Sequence, residues 1–185
     1  MIRRAFMTAI ASAAILMWVP MSATAADNLR DRVAGTWKLV SWETVRPSGQ
    51  ALSFLGLHPT GLLIYERNGY MAVQVMRDPR PTLGQGVPAA TDQEIKNAYR
   101  GYYAYWGTYT VNEAEGTIEH NIQSSLYPTE VGLKYKRTVL LEGMKLVLTT
   151  PSFKAGLGYR HEVLGDAQIP DDEQVFNRLT WERIE

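Results

Sequence analysis

Hydrophobic and polar residues alternate along the chain in short runs that are separated by turn residues. Such runs are typical of strands in an all-β sandwich or barrel, where one side of each strand is buried and the other is solvated. Asn68-Gly69 and Glu142-Gly143 lie directly between two runs, and Glu115-Gly116 precedes another, which predicts tight turns and antiparallel neighbours. The eight predicted strands are 36–45, 61–66, 70–76, 104–111, 117–126, 133–141, 144–150 and 176–184.

One helix is predicted to interrupt these strands, over residues 92–102. Thr91 precedes it and Glu94 stands three residues later, so that each side chain can bond the backbone amide of the other. Apolar residues recur at helical spacing and predict a face against the barrel, formed by Ile95, Ala98, Tyr99 and Tyr102. The segment 78–88 is rich in proline and glycine and predicts a loop. The connection 151–175 is long enough to be either a lid or a disordered segment at the mouth of a barrel.

Alternation within three strands predicts which side chains face the interior. The expected inward sets are Ile118, His120, Ile122, Ser124 and Leu126 in 117–126; Leu133, Tyr135, Arg137, Val139 and Leu141 in 133–141; and Tyr105, Gly107, Tyr109 and Val111 in 104–111. A barrel of eight strands is either filled by side chains or wide enough for one small ligand. His120 and Arg137 would be costly in a dry core, so they favour a wet or liganded cavity.

Each inward polar residue has a structural and a functional interpretation. A lone inward histidine such as His120 is commonly a hydrogen-bonded core residue, but it can also bind a ligand or transfer a proton. The guanidinium of Arg137 needs an acceptor, and its own strand offers no inward carboxylate, so the acid or carbonyl of a ligand is a candidate partner. Tyr105 and Tyr109 can pack in the core or orient a ligand through their hydroxyls.

The first 25 residues are typical of a signal peptide. Arg3 and Arg4 are followed by an apolar run over residues 5–21 and by a small-x-small pattern that predicts cleavage after Ala25. The alternative is an uncleaved membrane anchor, because the run approaches the ~18 residues of a spanning helix. We expect cleavage, a single domain over residues 26–185, a periplasmic or secreted location and no stable membrane insertion after cleavage.

Composition excludes several classes of function. The chain has no cysteine, which removes disulfides, thiol catalysis and Cys-ligated metals. Without the two leader arginines, 17 basic residues stand against 19 acidic ones, a net charge of about −2 that argues against a nucleic-acid partner. His58, His120 and His161 lack the spacing of a metal site, and no nucleotide loop or nucleophile elbow occurs. We therefore expect neither a metal nor a cofactor.

Several segments resemble those of a known family. The opening Gly35-Thr36-Trp37 is similar to the Gly-x-Trp start of lipocalins, and Arg183 is similar to the arginine that packs on that tryptophan. The resembling segments are Gly61 to Tyr65, Gly69 to Met71, Ala104 to Tyr109, Ile118 to His120, Ser125 to Pro128 with Gly132, and Arg137 to Leu148. On these residues the chain resembles the lipocalin-like domain family of the calycin superfamily, as a bacterial exported member. The resemblance implies an eight-stranded antiparallel up-and-down barrel, closed at one end by Trp37, Trp181 and Arg183. The connection 151–175 departs from the family by its length.

The resemblance also implies a cup for a small hydrophobic molecule. The expected ligand-binding residues are Tyr65, Met71, Tyr105, Tyr109, His120, Tyr135 and Arg137. The leading hypothesis is a binding protein for a hydrophobic ligand that carries an acid or carbonyl group. The alternative is a cofactor-free isomerase, cyclase or lyase in which His120 moves a proton while Arg137 and Tyr109 stabilise an oxyanion. A purely structural protein with a filled barrel is the third possibility.

Overall fold

Ten strands and two α-helices occur within residues 28–53, 55–84, 86–157 and 169–184, which are the residues that the computed structural model describes. The strands are β1 (Gly35–Val45), β2 (Ala51–Ser53), β3 (Thr60–Tyr65), β4 (Tyr70–Met76), β5 (Tyr102–Asn112), β6 (Thr117–Ser125), β7 (Lys134–Glu142), β8 (Lys145–Thr149), β9 (Phe153–Lys154) and β10 (Gln174–Arg183). The helices are α1 (Leu29–Val33) and α2 (Asp92–Arg100), and short 3-10 turns cover Val87–Ala89, Pro128–Glu130 and Ala155–Leu157.

The first and last long strands pair with each other and close the sheet. β1 pairs antiparallel with β3 at its beginning and with β10 along most of its length. The ring runs β1-β3-β4-β5-β6-β7-β8-β10, while the short β2 and β9 extend β1 and β10 outside it. The predicted fold class, an eight-stranded antiparallel up-and-down barrel, is therefore confirmed. The pattern missed β2, β9 and α1, which are too short to show a period.

The two ends of the barrel differ in the length of their connections. Tight turns join β3 to β4, β5 to β6 and β7 to β8 at one end, and α1 leads into β1 at the same end. We call this the closed end. The connections at the opposite end, between β1 and β3, β4 and β5, β6 and β7, and β8 and β10, are longer and include α2. We call this the open end.

The closed end is sealed by Trp37, which is fully buried. Its indole Nε1 donates to the Val33 carbonyl at 2.8 Å, and the Arg183 guanidinium lies 4.1 Å from the centre of the Trp37 rings. Arg183 also donates to the carbonyls of Ala34 and Arg32. The guanidinium thus holds α1, β1 and β10 together, because its planar fork can stack on an aromatic ring and donate to carbonyls at once.

Most of the buried apolar residues form one cluster, which packs the closed half of the barrel and continues into the wall of the open half. Its largest members are Trp37, Trp181, Tyr65, Tyr109, Leu63, Ile118 and Leu146. A second, smaller cluster of Ala155, Ile169 and Val175 joins the described parts of the connection 151–175 to β10. These parts are ordered by β9 and by an amide of Gly156 that donates to the Asp171 carbonyl. The remaining residues, 158–168, lie outside the described ranges, so the choice between a lid and a disordered segment stays open.

The predicted helix forms, but its packing was predicted wrongly. α2 begins after Thr91, and the reciprocal bonds between Thr91 and Glu94 are both present, as predicted. However, no residue of α2 is buried, and Ile95 and Tyr99 remain 46% and 44% exposed. The expected apolar face is therefore not buried against the barrel, and Tyr102, which was expected on it, is the first residue of β5. Tyr99 instead donates its hydroxyl to the Leu126 carbonyl beside the open end.

A bulge in β6 overturns part of the predicted inward set. Trp106 of β5 pairs with Ser124, but the next residue, Gly107, pairs with Ile122, so one extra residue of β6 is accommodated here. The alternation reverses beyond this point, and Ser125 replaces Ser124 on the side of Tyr105. A Cβ at Gly107 would lie 2.0 Å from the Asn121 carbonyl oxygen, so this close approach requires glycine.

The predicted signal peptide, residues 1–25, lies outside the described residues and stays a prediction. Among the residues that the structure describes, no helix is both long and apolar enough to cross a membrane.

We predict that Arg183→Met lowers the free energy of unfolding by about 2–3 kcal/mol, because the stacking on Trp37 and the bonds to two carbonyls are lost together. The measurement is equilibrium denaturation in urea. Arg67→Met is the matched control, since the Arg67 side chain forms an exposed ion pair with Asp31 and its loss should change stability by about 0–1 kcal/mol. Equal losses in the two variants would contradict the role of Arg183 in closing the barrel.

Candidate functional site

A cavity of about 900 Å³ occupies the open half of the barrel. Its volume lies within the roughly 300–1,000 Å³ that is typical of small-molecule sites. The interior is therefore not filled by side chains, which argues against the third possibility, a purely structural barrel. Its apolar wall is formed mainly by Trp42, Leu55, Leu63, Leu148, Leu179 and Trp181.

His120 is the most buried polar residue of the cavity wall, with 1% of its surface exposed. Its position on β6 places it between Tyr109 of β5 and Tyr135 of β7 in the sheet. The Nε2 atom lies 2.6 Å from the Tyr65 hydroxyl, and the Nδ1 atom lies 2.8 Å from the Tyr105 hydroxyl. Both ring nitrogens are thus engaged by tyrosines from different strands, which fixes the plane of the imidazole.

Burial determines the charge state of this group of side chains. Desolvation, reinforced by the positive charge of Arg137, lowers the pKa of His120 well below its usual value, so the ring is neutral at neutral pH. Burial likewise raises the pKa of Tyr65 and of Tyr105. For Tyr105 the positive charge of Arg137 opposes that shift. The three residues therefore form an uncharged chain of hydrogen bonds that ends beside a guanidinium.

Arg137 is one of four basic residues that line the cavity, with Arg100, Lys134 and Lys136; Lys134 and Lys136 form ion pairs with Glu119 and Glu115. The Arg137 guanidinium lies 5.2 Å from the centre of the Tyr135 ring and donates from Nη1 to the Lys136 carbonyl at 2.9 Å. Among the residues that the structure describes, no carboxylate lies within ion-pair distance of Arg137. The side chain is half-buried and lines the cavity, so its charge is directed at the interior without a counterion.

A second polar group surrounds the Glu130 carboxylate at the open end. The Tyr103 hydroxyl donates to both carboxylate oxygens at 3.0 and 3.1 Å, and the Ser125 hydroxyl donates to one of them at 2.6 Å. Burial and the neighbouring Glu130 charge raise the pKa of Tyr103. Tyr127 stacks on Tyr103 with ring centres 5.5 Å apart. The cavity therefore has a cationic wall at Arg137 and an anionic rim at Glu130.

The structure separates the predicted ligand-binding residues into two groups. His120, Tyr105, Tyr135 and Arg137 all line the cavity and are brought together by β5, β6 and β7. Three others are buried below it in the closed half: Tyr65, Met71 and Tyr109. The assignment of all seven residues to ligand binding stays a prediction.

Tyr109 and Trp181 have surroundings that the sequence did not indicate. The Tyr109 hydroxyl donates to the Glu66 carbonyl at 3.0 Å and is covered by Arg30 at the closed end, away from the cavity. Trp181 was expected with Trp37 at the closed end. It pairs with Leu39, two residues further along β1 than Trp37, and it lines the cavity. Its indole Nε1 has no hydrogen-bond partner among the described residues.

Sequence reasoning missed Glu130, Ser125 and Tyr103. The alternation in β6 assigned Ser124 to the interior, and Glu130 lies in a 3-10 turn that has no period to interpret. The only available signal was the cluster of aromatic residues around position 103. Within the described ranges, no group of three His, Asp or Glu side chains could hold a metal ion.

Comparison with known proteins places this barrel among lipocalin-like proteins. A family model described as lipocalin-like domain matches residues 34–184. The 4'-hydroxy-3'-methoxypropiophenone carrier protein ppsC of Aspergillus oryzae is 36% identical over 87 residues, which cover 43% of this chain and 78% of the fungal protein.

Two solved structures are also similar. A protein called EF1p2_mFAP2b, bound to DFHBI, has a TM-score of 0.37, 14% identity and coverage of 82% of this chain and 93% of its own. A mutant of the fluorescent protein UnaG has a TM-score of 0.32, 15% identity and coverage of 83% and 96%.

We predict that His120 makes folding stability decrease as the pH falls through the pH range of free histidine. The folded protein binds this proton only well below pH 6.5, whereas the unfolded chain binds it near pH 6.5, so acid favours the unfolded state. Between pH 7 and pH 5 the free energy of unfolding should decrease by up to about 2 kcal/mol more in the wild type than in His120→Gln.

Urea denaturation at several pH values measures this difference, and both proteins retain His58 and His161. Nuclear magnetic resonance (NMR) titration of the His120 ring provides a check that needs no variant. A ring that titrates near pH 6.5 in the folded protein would contradict the prediction.

Proposed function

Because this chain belongs to the lipocalin-like domain family, we propose that it is a carrier for a small, largely apolar molecule with a carbonyl or acid group. The proposal rests mainly on one observation: the guanidinium of Arg137 lines an apolar cavity of about 900 Å³ with no carboxylate paired to it among the described residues. Partial burial removes some of the water around this cation, and a bound oxygen acceptor would replace the hydrogen bonds that are lost.

The aromatic wall suggests that the guest itself contains a ring. Tyr103, Tyr105 and Tyr135 pack with ring centres 5.4 and 6.0 Å apart, and Trp42 lies 5.8 Å from Tyr103. Aromatic side chains present large apolar faces and prefer tilted or offset contacts with other rings. The fungal relative is named for carrying 4'-hydroxy-3'-methoxypropiophenone, an aromatic ketone with a phenolic hydroxyl. A ring with a carbonyl group is thus the guest that this wall and Arg137 together fit best.

The surroundings of His120 favour binding over catalysis. A general base needs a free nitrogen within hydrogen-bond reach of the proton that it removes. Both nitrogens of His120 are already bonded to tyrosines, and 1% of the side chain is exposed. Tyr109, the predicted partner in the enzyme hypothesis, donates away from the cavity to the Glu66 carbonyl. The acid-base mechanism would therefore have to break bonds that stabilise the barrel.

We predict that Arg137→Ala weakens binding according to the oxygen group of the guest. Three probes share one ring: 3-(4-hydroxy-3-methoxyphenyl)propanoic acid, 4'-hydroxy-3'-methoxypropiophenone and 2-methoxy-4-propylphenol. Affinity for the acid should fall about 10- to 100-fold, because a charge-assisted hydrogen bond is lost, and affinity for the ketone should fall less. Affinity for the propylphenol, which lacks the acceptor, should stay unchanged. Isothermal titration calorimetry measures all three.

Lys145→Ala is the matched control, since Lys145 is an exposed cation of the barrel that does not line the cavity. It should change none of the three affinities. An equal loss for the acid and the propylphenol in Arg137→Ala would contradict a specific role for the guanidinium. Failure of all three probes to bind would contradict the proposed class of guest.

We further propose that the carrier is exported to the periplasm or secreted. The support is the pattern of residues 1–25, with two arginines, an apolar run and small residues at Ala23 and Ala25.

We predict that mass spectrometry of the exported protein finds a chain that begins at Ala26. Ala25→Gln should leave the leader attached, because signal peptidase requires a small residue at that position, whereas Thr24→Gln should still be cleaved. A wild-type protein that retains Met1 inside the cell would contradict the proposal.

A further inference from the structure

We infer that Tyr65, which does not line the cavity, directs the Tyr105 hydroxyl to donate a hydrogen bond to the guest. The inference rests on the proposed carrier function and narrows the class of guest to molecules with a hydrogen-bond acceptor, such as a ketone oxygen. Tyr65 acts through His120 and is therefore a positioning residue.

The first step concerns the hydrogen of the Tyr65 hydroxyl. Tyr65 is 1% exposed, and its hydroxyl has one hydrogen-bond partner among the described residues, the Nε2 atom of His120 at 2.6 Å. If Nε2 carried a proton, the Tyr65 hydroxyl would accept that bond and its own hydrogen would be buried without an acceptor. A buried donor without a partner is strongly unfavourable. Tyr65 therefore donates, and Nε2 carries no proton.

The second step follows from the neutral state of the imidazole. A neutral ring with an unprotonated Nε2 carries its proton on Nδ1. Nδ1 lies 2.8 Å from the Tyr105 oxygen, so His120 donates and Tyr105 accepts. The Arg137 guanidinium, which has donors only, also acts on this oxygen through its positive charge. The hydrogen of the Tyr105 hydroxyl is not needed for either contact and is left for the cavity.

This arrangement aims two donors, the Tyr105 hydroxyl and the Arg137 guanidinium, at the same region of the cavity. Loss of the Tyr65 hydroxyl would remove the constraint on the histidine proton. The ring could then carry its proton on Nε2 and accept the Tyr105 hydrogen at Nδ1, and the guest would lose one donor. A residue outside the cavity would thus change which guests are bound without changing the shape of the cavity.

The first test needs no ligand, and its main measurement leaves Tyr65, His120 and Tyr105 unchanged. NMR of protein with ¹⁵N-labelled histidine distinguishes the protonated ring nitrogen, and His58→Gln with His161→Gln leaves His120 as the single histidine. We expect the proton on Nδ1. A proton on Nε2 in this protein would overturn the inference. In Tyr65→Phe, Nε2 has no partner among the described residues in either form, so the proton is no longer held on Nδ1 by Tyr65 and we expect a larger share of rings protonated on Nε2 than in the wild type.

The second test compares binding of 4'-hydroxy-3'-methoxypropiophenone with that of 2-methoxy-4-propylphenol, which has a methylene in place of the carbonyl. Tyr65→Phe should weaken ketone binding about two- to tenfold, as one hydrogen bond is lost, and leave the propylphenol unchanged. Tyr105→Phe should have the same effect, and Tyr65→Phe should add nothing to it in the double variant. Additive losses, or equal losses for both probes, would overturn the inference.

Tyr70→Phe, in an exposed tyrosine of β4, controls for loss of a hydroxyl in general. If neither probe binds the wild type, the carrier proposal for this class of guest fails, while the nitrogen that carries the proton still decides between the two orientations of Tyr105. If Tyr65→Phe does not fold, the wild-type spectrum decides alone.

Discussion

The pairing of β1 with β10 is the contact on which the rest of this molecule depends. It joins the two ends of an eight-stranded sheet, so no long edge of the ring remains unpaired, and the number of strands sets the width of the interior. Arg183 lies at the end of this pairing and links β10 to Trp37 and to the backbone before β1. Because the plug occupies the closed end, the space that remains is a cavity open at the other end. A barrel with both ends plugged could not admit a guest.

The polar residues inside the barrel differ in how their charges and hydrogen-bonding groups are compensated. His120 is stabilised as a neutral ring by two tyrosines, and Glu130 accepts hydrogen bonds from Tyr103 and Ser125. Arg137 has a ring and a carbonyl as neighbours but no carboxylate among the described residues. In a medium of low polarity, this charge attracts an oxygen atom of a guest more strongly than it would in water.

The residues proposed to recognise the guest lie at two depths in the barrel. In the proposed carrier, Arg137 and the aromatic wall would select a ring with an oxygen substituent, whereas the chain from Tyr65 through His120 would set the direction of one donor. Buried hydrogen-bond chains are well suited to this second task, because every member has a fixed partner and a change at one end reaches the other. Tyr65 packs against Tyr109 in the closed half, with ring centres 4.7 Å apart. Under this proposal, packing in the closed half contributes to the choice of guest in the open half.

The sequence alone determined the eight strands of the barrel, the cap of α2 and the inward direction of His120 and Arg137. These features depend on neighbours within a few residues, where alternation and capping act directly. Tertiary structure decided the β6 bulge that brings Ser125 to Glu130, the exposure of α2 and the depth that separates Tyr65 from the cavity. Each of these depends on which distant strand lies alongside, and a one-residue shift in pairing reverses every side chain beyond it. For that reason the cavity-lining residues near His120 could be predicted from the sequence, whereas the anionic rim at Glu130 could not.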